Sequence, residues 1–300
     1  MRNILHILAA ILFITSCHNT GNKIESGNNN ANDAGKYASR LEIPALDNRD
    51  IFITHTTNNN NKECITYSIA HNAERKHCRW VAFTFDNSNR SENWYRSKWN
   101  EFANSNEWVK KELEASGGYC SDPYQPTPEI PQEYQHTRNE IIGNGHVRGH
   151  IVASSDRLYS KEANEQTFYY SNISPMLSKF NSGVWANLED KVKKWGRNTA
   201  FSDTLYIVKG GTIESGYYTS DYERKTIPSY YFMALMSVRK GIYNTIGFFL
   251  EHKANNDSDI MKYALTIDEL ESKTGIDFFC NLTDITEENI ERVYDKNKWR

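Results

Sequence analysis

The residues between 147 and 190 decide how this chain is read: Val147-Arg148-Gly149-His150, then Tyr170-Ser171-Asn172-Ile173-Ser174-Pro175, then Phe180-Asn181-Ser182-Gly183-Val184-Trp185, then Leu188-Glu189-Asp190. Hydrolysis of a phosphodiester needs a base for water, cations against the charge on the phosphoryl oxygens and an acid for the leaving oxygen. His150 titrates in the right range to be the base. Arg148 offers a bidentate fork to a phosphate, and Gly149 removes a side chain so that substrate backbone can approach closely. Asn181 carries an amide oxygen, a donor suited to magnesium, which keeps most of its waters and takes few protein ligands. Each residue also has a plainer reading. His150 would be a satisfied histidine at a strand end and Arg148 a surface ion pair. Asn172 would serve a turn before Pro175, and Asn181 would cap a helix starting at Ser182.

Outward from this stretch, Ser182 to Trp195 is the clearest helix, because Val184, Trp185, Leu188, Val192 and Trp195 make one apolar stripe. Glu189 lies eight residues beyond Asn181, just over two turns, and so on roughly the same side. Ile65–Ile69, Trp80–Phe85, Ile151–Ala153, Leu205–Val208, Tyr231–Val238 and Thr245–Leu250 read as strands. Glu107–Ala115 reads as a short helix, and the proline-rich stretch from Ser121 to Pro131 as loop. Thr266 with Glu269 three residues on makes a capping box for a further helix. Strands and helices in no alternating order predict an α+β fold with a mixed or antiparallel sheet.

The amino terminus begins with Met1-Arg2 and an apolar run, Ile4–Ser16, too short to span a bilayer. It ends in Ile14-Thr15-Ser16-Cys17, which resembles a bacterial lipobox; the alternative is an ordinary signal peptide with a chance cysteine. The reading divides the chain into a signal peptide (1–16), a lipidated Cys17 with an Asn-, Gly- and Ser-rich flexible tether (17–40), and one folded domain (41–300). It implies a location at the cell envelope, anchored in a membrane through Cys17, with the membrane face left open. Of the other cysteines, Cys64, Cys78, Cys120 and Cys280, the pair Cys64–Cys78 is preferred for a disulfide closing a hairpin, against free buried thiols. A net charge of −3 weighs against a protein that coats nucleic acid, but not against an enzyme with a local basic cleft.

The four groups quoted at the outset resemble the DNA/RNA non-specific endonucleases, the family with the ββα-metal active site. Its members show Asp-Arg-Gly-His, then Ser-Asn-Ile-(Ser/Thr)-Pro-Gln, then Asn-x-Gly-x-Trp and a downstream Leu-Glu. The resemblance runs from about Tyr67 to Leu282 and takes in Trp80-Val81-Ala82-Phe83, Ile227-Pro228 and Glu271-Ser272-Lys273-Thr274-Gly275-Ile276-Asp277-Phe278-Phe279. It implies a ββα-metal motif in the α+β core and a magnesium-dependent endonuclease of DNA and RNA, with manganese as a substitute. By the same resemblance His150 is the general base, Asn181 the metal ligand, and Glu189 the holder of metal-bound water. Asn172 lies close to the scissile phosphate and Arg148 contacts phosphate. A further arginine stabilises the transition state; Arg96, sixteen residues after Trp80, fits the family spacing better than Arg90. Some relatives dimerise, and the sequence leaves that open here. Two positions depart from the pattern: Val147 stands for the family aspartate, which loosens or shifts metal binding, and Met176 for the glutamine, a change in packing.

Two rival readings remain. His146 and His150 would share a helical face and could hold zinc, but the neighbouring glycines oppose a helix there and no third ligand is evident. Alternatively, the chain is a catalytically weak surface lipoprotein that binds nucleic acid or a protein partner, a reading the acidic charge and the intact histidine oppose.

Overall fold

The fold is given by a computed structural model, which describes residues 27–33, 35–59, 61–99, 107, 110, 111, 122–137, 140–214, 216, 218–220 and 225–300. In chain order its strands are β1 (Asp50–Asn59), β2 (Lys62–Asn72), β3 (His77–Phe85), β4 (His146–His150), β5 (Ile173–Leu177), β6 (Thr204–Gly211), β7 (Tyr218–Ser220), β8 (Thr226–Pro228), β9 (Tyr230–Arg239), β10 (Ile242–Glu251) and β11 (Ala264–Leu265). The main helices are α1 (Lys161–Gln166), α2 (Ala186–Arg197), α3 (Ile267–Thr274) and α4 (Asp284–Glu291). Seven strands form one sheet in the order β1-β2-β3-β6-β9-β10-β11, antiparallel at every pairing. The fold is therefore α+β, and its large sheet is antiparallel rather than mixed.

Both faces of this sheet are covered, which is why its central strands read as mainly apolar runs rather than as alternation. Along β9, Tyr231, Met233 and Leu235 point to a core shared with Val184, Trp185, Leu188 and Val192 of the long helical segment. Phe232, Ala234 and Met236 point the other way, to a second core built with Ile267, Leu270 and Phe278 around α3. The expected capping box on α3 is present, with Thr266 Oγ1 accepting from Glu269 N and Glu269 Oε2 accepting from Thr266 N. Among the described residues no helix is long and apolar enough to cross a membrane.

A second, two-stranded ribbon carries the site. β4 and β5 pair from His146↔Leu177 to His150↔Ile173. Ser174 ties this ribbon to the sheet, its hydroxyl 2.6 Å from both His77 Nε2 and the Tyr231 hydroxyl. The strand expected at Ile151–Ala153 lies instead just upstream, at His146–His150. Residues 151–153 are apolar because they are buried under the turn that follows, not because they pair. Gly149 also serves packing rather than substrate approach, since a Cβ there would sit 2.3 Å from Met176 Sδ.

The expected helix at Ser182–Trp195 begins earlier and is interrupted. A helical turn at Ser178–Phe180 leads into a wider turn at Asn181–Trp185 and then into α2. At the interruption Gly183 leaves helical geometry (φ −107°, ψ −116°), and Val184 N donates to Asn255 O at 2.8 Å. A loop carbonyl thus enters the helix ladder, a recognised cause of such bulges.

Two expectations about the periphery are corrected. Part of the tether docks: Asn28 Nδ2 donates to Cys280 O at 2.8 Å and Asn30 Nδ2 to Asp277 Oδ2 at 3.0 Å, while Asn32 Nδ2 donates to Pro44 O at 3.1 Å. The Asn28 and Asn30 amides satisfy a carbonyl and a carboxylate of the carboxy-terminal segment, and Asn32 the carbonyl of Pro44, so folded structure starts before Leu41. The Cys64–Cys78 disulfide does not form; Cys64, Cys78 and Cys280 are free thiols. Register pairs Cys78 with His71, seven residues along β2 from Cys64, which separates the two sulfurs by roughly 20 Å. Residues 1–16, Cys17 and Cys120 lie outside the described residues, as does most of Glu107–Ala115.

Gly183→Ala places a Cβ 2.0 Å from the backbone oxygen of Asn255. We expect a loss of about 1–3 kcal/mol in urea unfolding from this overpacking. Wild-type stability in that variant would mean that the bulge is not held by the Asn255 contact.

Candidate active site

A cleft of about 410 Å³ opens between the β4–β5 ribbon and the long helical segment, and Arg96, Arg148, His150, Asn181 and Glu189 all line it. The structure thus brings together five of the six residues singled out for catalysis and metal binding. His150 ends β4, with its ring set edge-on against Phe168 (4.9 Å between centroids, 88°) and near Tyr124 at 5.8 Å. Its Nε2 is buried and has no hydrogen-bond partner among the described residues. Burial, with the Arg96 guanidinium second, pushes the imidazole down to about 3. At neutral pH it is uncharged, the form that accepts a proton. His146 lies on the same extended strand, roughly 13 Å away along it, so the zinc-pair geometry is not formed.

Asn181 does not cap a helix; it has helical dihedrals (φ −60°, ψ −45°) inside the continuous segment, at the start of the wide turn. In an unbroken α-helix, eight residues would place Glu189 roughly 80° round from Asn181. A kink at Gly183 (φ −107°, ψ −116°) breaks that pitch between them, and both side chains line the same cleft. No described residue engages the Asn181 amide, so its oxygen is available to a hard cation. With the Glu189 carboxylate in the same cleft, the donor set is all oxygen and suits magnesium or manganese rather than zinc.

Behind the cleft lies an ion cluster that the sequence reading did not find. Lys209 Nζ donates to Asp156 Oδ2 at 2.7 Å and to Glu189 Oε1 at 3.3 Å; Lys209 and Asp156 are fully buried, and Glu189 is largely so. Burial pushes Glu189 up to about 7 and Asp156 adds to the rise, while Lys209 opposes both. For Asp156, burial is outweighed by Lys209 and Arg157, and the group sits below its usual range. Asp156 Oδ2 also accepts from Ala153 N at 3.1 Å, which fixes the turn after His150. A lysine inside the largely apolar strand β6 (Thr204–Gly211) was the available signal, and the expected strand, Leu205–Val208, stopped one residue short of it.

Asn172 is the sixth residue, and the structure moves it out of the cleft. It is fully buried; its Oδ1 accepts from Val152 N at 2.8 Å, and its Nδ2 donates to Val152 O at 3.0 Å and Thr167 O at 2.6 Å. With both ends of the amide spent on backbone, it holds the segment after His150 in place and does not line the cleft. The two arginines also separate. Arg90 is committed to the backbone carbonyls of Gly196 (2.7 Å), Ser202 (2.9 Å) and Asp203 (3.0 Å). Arg96 faces the cleft, gripped by Asp122 (Nε to Oδ1 2.8 Å) and lying 5.3 Å over Phe168. Arg148 lies 5.4 Å over Tyr124. Val147, in place of an aspartate, pairs with Met176 and does not line the cleft.

The family model of the DNA/RNA non-specific endonucleases matches residues 47–285. A nuclease of Nostoc sp. is 28% identical over 225 residues, an alignment covering 71% of this chain and 80% of that protein. Mitochondrial nuclease EXOG of Xenopus laevis is 27% identical over 170 residues, covering 53% of this chain and 48% of its own. Mitochondrial endonuclease G of Caenorhabditis elegans is 27% identical over 169 residues, covering 53% and 55%. The chain thus spans about half the length of these mitochondrial relatives. Among solved structures, a chain of the EndoG/EndoGI complex superposes with a TM-score of 0.57 at 16% identity, covering 76% of this chain and 87% of its own, a likeness of fold.

Lys209→Met removes the only cation between two buried carboxylates among the cluster's described members. We expect a loss of about 3–5 kcal/mol in urea unfolding, the usual result of breaking a buried ion pair from one side. Asp156→Asn in the same background should recover part of it. A change below about 1 kcal/mol would show that the cluster contributes little to stability.

Proposed function

The chain belongs to the DNA/RNA non-specific endonuclease family, and on that premise we propose that it is a magnesium-dependent endonuclease that cuts DNA and RNA without sequence preference. The observation that carries the reading is the convergence of an uncharged histidine, an unengaged amide oxygen, a carboxylate and two arginines in one cleft. His150 accepts the proton of the attacking water, its neutral state held by burial and by Arg96. Asn181 holds the divalent ion, and Glu189 orients water toward it. When bound, the ion supplies positive charge against the scissile phosphate. Arg96 and Arg148 offset charge on the phosphoryl oxygens. Their contacts are to phosphate, which single- and double-stranded DNA and RNA share, so no base is read.

Plasmid and RNA digestion tests the scheme. EDTA should abolish cleavage, and mapped cut sites should show no sharp sequence rule. His150→Ala should lower turnover by about 10²–10⁴-fold at an unchanged magnesium requirement. Asn181→Ala should raise the magnesium needed for half-maximal rate. Arg96→Ala should follow the histidine pattern, whereas Arg90→Ala should cost stability but keep its rate per folded molecule. Full activity in EDTA, or a near-wild-type rate in His150→Ala, would remove the mechanism and leave the fold standing.

The same reading places the enzyme at the cell envelope, with acyl chains on Cys17. Wild-type protein should partition with membranes, and Cys17→Ala should be soluble. Equal partitioning of the two would eliminate the anchor.

A further inference from the structure

On the face of the molecule built by α3 and α4, carboxylates gather in a hollow with no lysine or arginine among its lining residues. One carboxylate oxygen each from Asp268, Glu271 and Glu291 lies within 4.8 Å of the other two. Asp268 and Glu271 stand three apart on α3 and so on one face, while Glu291 closes the group from the last turn of α4. The hollow they line also takes in Asp277 and Glu287, and no lysine or arginine lines it. Of the nearby basic side chains, Lys273 lies over the Phe249 ring, and Arg292 pairs with Glu288, a carboxylate that lines the same hollow.

Proximity of acids alone would carry nothing, since exposed carboxylates often cluster. Glu291 is different: it is only 5% exposed, and its Oε1 is buried with no hydrogen-bond partner. It also sits at the carboxy-terminal end of α4, where the helix dipole already disfavours negative charge. Glu271 is half committed, with Oε1 accepting from Phe278 N at 2.7 Å. A buried, unpartnered carboxylate facing two more is costly unless a proton or a cation completes it.

We propose that Asp268, Glu271 and Glu291 bind a divalent cation of calcium type, which clamps α4 to α3 at a site sharing no residue with the catalytic cleft. The donors are carboxylate oxygens alone, which select a hard cation over zinc or copper. Calcium accepts irregular oxygen shells at about 2.3–2.6 Å, whereas magnesium demands a tight octahedron at about 2.0–2.1 Å. Three side chains drawn from two separate helices, one exposed and one buried, suit the looser ion. Burial pushes Glu271 up to about 8 and Glu291 up to about 10, with the neighbouring acids adding to both, as expected of acids lacking a counter-charge.

The test uses the full chain stripped of metals with a chelator. Calcium, added alone, should bind with one equivalent by calorimetry and raise the melting temperature by a few degrees, as a ligand of the folded state does. Glu291→Gln should weaken calcium binding by at least about tenfold and lose the thermal shift, because the closing ligand is gone. Asp268→Asn, an exposed change safe for folding, should weaken it in the same direction. Both variants should keep the wild-type magnesium requirement for cleavage. The proposal is overturned if millimolar calcium leaves the melting temperature of the wild type unchanged. It is overturned equally if calcium binding survives Glu291→Gln but is lost in Asn181→Ala, which would assign the ion to the cleft. Stabilisation by falling pH with no response to calcium would show that protons alone complete the cluster.

Discussion

One ammonium group holds the site together. Lys209 Nζ joins three parts of the chain that are remote in sequence: its own strand β6 in the sheet, the turn after His150 through Asp156, and α2 through Glu189. Each of these charges loses its hydration on folding, and the cost is offset only when all three are present in the right geometry. The arrangement therefore tolerates no slack. Because Asp156 also binds Ala153 N, and Asn172 grips Val152 from the other side, His150 is presented on a backbone fixed at both ends of the following turn. Among the described residues, two aromatic neighbours flank the histidine ring, and the segment that carries it does the rest.

The opposite wall is not a helix of regular pitch. Asn181 and Glu189 line one cleft from either side of a kink at Gly183, where Asn255 O accepts from Val184 N and no side chain intervenes. Asn187 Nδ2 donating to Asp257 O at 3.0 Å holds the same loop against α2 one turn further on.

Much of this was legible before any coordinates. Leu205–Val208, Tyr231–Val238 and Thr245–Leu250 announce themselves because strands buried on both faces are mostly apolar. The stripe of Val184, Trp185, Leu188, Val192 and Trp195 gives the helix for the same reason. β4 is illegible, because in His-Val-Arg-Gly-His only Val147 is apolar and its pairing comes from a partner more than twenty residues away. Asn172 was misplaced because sequence gives a residue's neighbours along the chain but not the direction of its amide. Arg90 and Arg96 have similar local contexts, and only the carbonyls that surround Arg90 in three dimensions separate them. Lys209 was hidden by its own charge: a lysine reads as the end of a strand, whereas here aspartate and glutamate draw it into the core.

The docked asparagines have a consequence for reach. Were Cys17 the point of attachment to a surface, a tether running to Leu41 would span at most about 85 Å when fully extended. With Asn28 already bonded to Cys280 O, only eleven residues remain, a leash of at most about 40 Å. The volume such a leash sweeps is about tenfold smaller, since it scales with the cube of the length. Three asparagine side chains, with no part in the chemistry, would thus confine the enzyme to a layer little deeper than its own diameter and raise its encounter rate with any polymer lying on that surface.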